Sequence, residues 1–92
     1  MLFLSLFLEH SFNRFYLVEY EDFENAKLMF HEAISINPRF VEATYNLGRT
    51  LEAFGDYNGA RENYKKSLDL LPNYPLAVQG MNRLDDMLRK NN

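Results

Sequence analysis

Cysteine is absent from the 92 residues, and glycine and proline are scarce, at four and three. Without cysteine there is no disulfide framework and no thiolate metal site, although the redox compartment stays open. Gly48, Gly55, Gly59 and Gly80 stand too far apart to build a phosphate-cradling loop. Positive charge is not in excess either: 10 Lys plus Arg face 13 Asp plus Glu, a net charge of −3. A nucleic-acid partner would favour a basic surface, and the lone pair Lys65-Lys66 reads as solvated. Long hydrophobic runs are missing too. The opening "MLFLSLFLEH" is far shorter than the roughly 20 residues that span a bilayer. It also lacks the basic start and small-residue cleavage site of an export signal. It reads as the start of a packed amphipathic helix, with a truncated export segment as the alternative.

The remaining composition, 47% hydrophobic and 25% charged, is that of one folded domain over 1–92. Its core is modest, since a chain this short buries only roughly two thirds of its unfolded surface. The chain repeats itself. A shift of 34 residues lays Asp22 on Asp56, Phe23 on Tyr57, Ala26 on Ala60 and Phe30 on Tyr64. Ala33 then meets Ser67, Ile34 meets Leu68, Pro38 meets Pro72 and Leu47 meets Met81. Size and polarity stay in step for too long for coincidence, and a repeat of this period built from helix pairs indicates a solenoid.

Helical spacing supports that reading. Phe23, Ala26, Phe30, Ala33 and Ile34 form one apolar stripe, which Tyr57, Ala60, Tyr64, Ser67 and Leu68 copy. Pro38 and Pro72 stop the helices before them, because proline has no amide to donate and crowds the preceding turn. Gly55 suits a left-handed helix end, with Asp56 entering the next helix. Asn58-Gly59 would suggest a hairpin, but its flanks are helical in period. Five helices are predicted, over about 3–20, 23–36, 40–54, 57–70 and 75–90. The acids Glu19, Glu21, Asp22 and Glu24 are read as a solvated turn and the start of the second helix.

These residues resemble the tetratricopeptide repeat family. "NLG" with Leu47 and Gly48, the "GDY" turn at 55–57, Ala60, Tyr64, Ser67 and Pro72 match its signature at the right intervals. Ala26, Phe30, Ala33 and Pro38 match the second half of an earlier repeat, whereas His10, Asn13 and Arg14 depart from the pattern of its first half. The resemblance implies an all-α fold, a right-handed superhelical stack of antiparallel helix pairs. Repeat 1 would span about 7–40, with a divergent first helix, and repeat 2 about 41–74, followed by a capping helix over about 75–90. In such a packing Gly48 and Ala60 are small because two helices cross there, Tyr64 fills the space beside them, and Phe30 and Tyr64 are the main stabilisers of their repeats.

Catalytic chemistry finds little to work with. His10 and His31 lie on different predicted helices, and no cluster has the spacing of a metal site. Ser11 beside His10 does not make a nucleophile pair, because adjacent helical positions point apart. Asp85-Asp86 reads as solvated. No enzyme activity, cofactor or metal is expected.

What remains is surface. The first helix of each pair lines the concave side of a curved stack. That side is predicted to present Phe12, Phe15, Tyr45, Asn46, Arg49, Gln79 and Arg83, together with Ser11, Glu42, Ala53 and Gly80. Asn46 offers an amide to a peptide backbone, and Arg49 and Arg83 offer forks to a carboxylate, unless they pair with Glu52 and Asp86 three residues on. A subset of the family clamps the carboxylates of chaperone tails. Of that clamp only Asn46 has a counterpart here, with Leu8, Phe12, Leu76 and Gly80 in the other places, so no such clamp is expected. The function expected is a non-catalytic protein-interaction module that binds a peptide or protein partner in the groove. The alternatives are an assembly piece, including a homodimer through the apolar N-terminal helix, and a regulatory fragment of a larger repeat protein. Neither nucleic acid nor a membrane span is expected, and the compartment is open, with the cytoplasm favoured.

Overall fold

A computed structural model of the chain describes residues 20–90, in which all regular structure is helical. Helix α1 takes in 20–36, α2 is Val41–Ala53, α3 is Tyr57–Leu70 and α4 is Pro75–Lys90. The last three agree with the predicted bounds to within a residue. Of the five helices expected, these four are described, and the helix predicted over 3–20 lies outside the described residues save for Tyr20.

That one residue corrects a boundary. Tyr20, Glu21 and Asp22 are helical and continuous with 23–36, so the described part of the acidic group is helix and not turn. The reason lies in the residue at the turning point. Gly55 has φ +89°, and no other residue among those described takes a positive φ. Glu21 occupies the same place one repeat earlier. Its Cβ would cost about 1–2 kcal/mol in that conformation, and Glu21 is helical instead.

Each junction accounts for its backbone groups. After α1 the Asn37 amide donates to Ala33 O at 2.9 Å and the Phe40 amide to Asn37 O at 3.0 Å, around a Pro38 that has nothing to donate. Helix α2 closes with the Gly55 amide on Glu52 O (3.1 Å) and the Asp56 amide on Leu51 O (2.9 Å), the paired bonds of a left-handed glycine cap. Asp56 then caps α3 by accepting from the Gly59 amide at 2.9 Å. The Leu71 amide reaches Ser67 O at 2.8 Å, and Pro75 opens α4 where a missing amide costs nothing.

The core sits where α2, α3 and α4 meet. Leu47, Leu51, Ala60, Tyr64, Ala77 and Leu84 form it, with Thr44 and Ser67 also buried. Both hydroxyls bond one turn back along the chain, Thr44 to the O of the α2 cap residue Phe40 and Ser67 to Asn63 O, so neither is left unsatisfied. Tyr64 is the centre. A Cβ placed on Gly48 would lie 2.8 Å from its ring on one side, and a Cβ on Gly80 2.7 Å on the other. The ring therefore occupies a slot that two helices open by lacking side chains. The Gly48 Cβ would also come within 3.2 Å of Ala60 O, so α2 and α3 cross closely there.

Helix α1 contributes less. Phe23, Phe30 and Ile34 pack against the core but stay partly exposed, and Phe23 stacks on Phe54 with ring centres 4.2 Å apart. Ala26 and Ala33 are likewise only half-buried. Phe30 is thus not the counterpart of Tyr64 in burial that the repeat suggested. On the far face Leu28 and Met29 are 65% and 66% exposed.

Candidate functional site

The predicted concave residues that are described lie on α2 and α4. Asn46, Arg49 and Gln79 are exposed, while Tyr45 and Arg83 are half-buried. Phe12 and Phe15 lie outside the described residues. Tyr45 is more than a surface ring: its centre lies 5.6 Å from that of Tyr64 and 5.5 Å from that of Tyr74. Three tyrosines thus form a continuous aromatic layer joining α2, α3 and the start of α4. Burial, then the Glu42 charge and then Tyr45 push the Tyr74 hydroxyl above its ordinary pKa.

Beneath the arginines lies a polar network. The Tyr64 hydroxyl donates to Glu52 Oε1 at 2.6 Å. Arg83 donates from Nε to Glu52 Oε2 and from Nη2 to Oε1, both at 2.8 Å. Glu52 is on α2, Tyr64 on α3 and Arg83 on α4, so one carboxylate ties three helices together. The geometry is a bidentate fork, the strongest form of this pairing. The Arg83 hydrogen bonds hold the Glu52 carboxyl below its ordinary pKa, against the opposing effect of burial and with further help from Tyr64. Burial, and then the Glu52 carboxylate, push the Tyr64 hydroxyl well above the usual phenol range. The Glu52 hydrogen bonds also raise the Arg83 pKa, so the guanidinium stays charged.

The pairing corrects one expectation and explains another. Arg83 does not turn to Asp86 on its own helix, because Asp86 is paired with Arg89. It reaches Glu52 instead, 31 residues away in sequence. Arg49, three residues before Glu52, makes no ion pair among the described residues. Both Glu52 oxygens are already occupied, and Arg49 acts on Glu52 only through its field. One hint of the network is legible in the residues. Arg83 and Arg49 hold the same place in successive repeats, and Glu52 follows Arg49 by one helical turn, so Glu52 lies near the next repeat's arginine.

Other concavities are lined by other residues. A cleft of about 300 Å³ between α1, α2 and α3 has Ile34, Leu47 and Leu70 among its walls, with His31, Lys66 and Asp69. A second takes in Arg61, Asn82, Asp85, Asp86, Leu88 and Arg89, where Arg61 and Asp85 pair at 3.5 Å. A third takes in Phe23, Thr50, Ala53 and Phe54. Among the described residues no group of three or more His, Cys, Asp or Glu is placed to hold a metal ion. No helix among them is long and apolar enough to cross a membrane.

The sequence profile of the tetratricopeptide repeat family matches residues 17–75. No curated protein matches the chain.

Proposed function

Because the chain belongs to the tetratricopeptide repeat family, whose repeats serve generally in protein–protein interaction and are typically non-catalytic, we propose that it is an interaction module that binds a peptide or protein partner along the face shared by α2 and α4. In this reading the helix pairs stack into a right-handed superhelix, and that face is the concave groove. The observation that carries it is the contrast along α2: Ala43, Thr44, Leu47, Gly48 and Leu51 are buried, whereas Asn46 and Arg49 are exposed. A groove of this kind offers Asn46 and Gln79 amides to a partner's backbone and the Tyr45 ring to its side chains. The test begins with capture of partners by the tagged chain and their identification by mass spectrometry. Calorimetry on the leading partner then compares wild type with the Asn46→Ala, Arg49→Ala double variant. Weaker binding at unchanged stability is expected, and unchanged affinity would contradict the groove.

A second reading, assembly with further copies or repeats, draws on α1, where Leu28, Met29 and Ile36 remain 65%, 66% and 79% exposed. The apolar N-terminal helix expected as its dimer contact lies outside the described residues save for Tyr20. Light scattering separates the two readings. A concentration-dependent dimer favours assembly, and a monomer at micromolar concentration favours a free groove.

A further inference from the structure

We propose that Arg49 and the outer edge of Arg83 form a carboxylate-binding site for aspartate or glutamate side chains of an extended acidic peptide. This rests on the groove reading and specifies its partner chemistry. A guanidinium carries five N–H donors, and Arg83 uses two of them on Glu52, so three remain. Its side chain is still 40% exposed although the Glu52 fork is made. The bidentate bond fixes the plane of the group, so the ordering of a long side chain has already been met before a ligand arrives.

Arg49 adds a second charge that Glu52 does not neutralise. The Glu52 oxygens already accept from Tyr64 and twice from Arg83. Asp86, the other acid one turn from Arg83, is paired with Arg89. One carboxylate, bound by Arg83, thus stands against two guanidinium charges, a local positive excess on a chain whose net charge is −3. Glu42, on α2, lies two turns before Arg49, where its effect falls on Tyr74. None of the three described clefts takes in Arg49 or Arg83. An open surface of this kind suits the side chains of a peptide passing over it, in place of a chain end seated in a closed pocket.

The test follows the Nε–H resonances of Arg49 and Arg83 in nitrogen-15 spectra of the whole chain. The probes are acetylated, amidated hexaglutamate, the matching hexaglutamine, and hexaalanine with a free C-terminus. Saturable shifts at both arginines are expected with hexaglutamate alone, weakening as salt rises. Arg49→Gln, at an exposed side chain with no ion pair, should keep the fold and weaken hexaglutamate binding roughly tenfold. No shift at Arg49 with hexaglutamate, or shifts confined to Arg61, Lys65 and Lys66, would overturn the site. Equal shifts with free-ended hexaalanine would overturn the choice of side-chain carboxylates. If hexaglutamate fails while a captured partner still depends on Asn46 and Arg49, the carboxylate site is wrong and the groove stands. If the Asn46, Arg49 double variant leaves that partner's affinity unchanged, the groove itself fails.

Discussion

Phe30 and Tyr64 hold the same place in the repeat, yet Tyr64 is wholly buried and Phe30 only partly. The rings are nearly the same size, so the difference comes from their neighbours. Tyr64 lies between Gly48 and Gly80, neither of which has a side chain to obstruct it. One repeat before Gly80 the chain has Asn46, exposed and bearing an amide. A repeat fixes which residue plugs the helix pair, but the next helix decides whether the plug has a slot. The hydroxyl sharpens the contrast: Tyr64 binds Glu52, a bond that Phe30 has no group to make.

The largest expected effect breaks the comparison at its centre. Tyr64→Ala should cost ~3–5 kcal/mol, the range for emptying a fully buried aromatic site. Phe30→Ala should cost clearly less, nearer the ~1.5–3 kcal/mol of a single buried side chain. Urea denaturation of both variants measures the gap, and equal losses would show the two rings to be equivalent.

Filling the slot comes next. Gly48→Ala and Gly80→Ala each place a Cβ under 3.0 Å from the Tyr64 ring. The ring has no room to retreat, so each should destabilise by ~1–3 kcal/mol despite alanine's better helix propensity. Asn46→Ala, at the equivalent place in the earlier repeat, should stay within about 0.5 kcal/mol of wild type, as exposed substitutions do. Thermal denaturation of the three reads the order directly.

The two turning points form a smaller pair of opposite substitutions. Gly55→Ala forces a side chain into a φ of +89° and should cost about 1–2 kcal/mol. Glu21→Gly puts glycine at a helical position and should cost up to roughly 0.5–1 kcal/mol. Each position thus rejects the other's residue, although both stand at one place in the repeat. A stabilising Glu21→Gly, seen as a raised melting temperature, would mean that α1 is under strain at Glu21.

The smallest effect is electrostatic. Glu52 has a lowered pKa in the folded chain, so its stabilisation is fully present above the ordinary carboxyl value of 4.5. It is lost as pH falls through the lower folded-state value. Below 4.5, therefore, wild type should lose stability more steeply than Glu52→Gln, which has no proton to take up there. Parallel curves from denaturation at stepped pH would remove Glu52 from the account of acid sensitivity.

Much of this architecture was legible in the residues. Gly48, Ala60, Tyr64 and Ser67 follow intervals that only a close helix crossing explains, and Pro38 and Pro72 mark where α1 and α3 end. Two features were not. The helical conformation at Glu21 depends on the lack of a glycine, a signal easily masked by the acids around it. The Arg83–Glu52 pair joins different repeats, and Asp86 offered a plausible partner one turn away. Local spacing favours Asp86, three residues from Arg83. Packing separates them, because it brings Glu52 to Arg83 while Asp86 pairs with Arg89 along α4.

The central claim is that Tyr64, held between Gly48 and Gly80 and bonded to Glu52, locks α2, α3 and α4 into one body that presents Asn46, Arg49, Gln79 and Arg83 together. Native-state hydrogen exchange tests it most directly. Amides around Ala60 to Ser67 in α3 and around Gly80 to Leu84 in α4 should open with one shared free energy, equal to that of global unfolding. Those around Leu28 to Ile36 in α1 should open at a lower one. Exchange of α4 ahead of α3, independent of global unfolding, would contradict the lock and the single surface it supports.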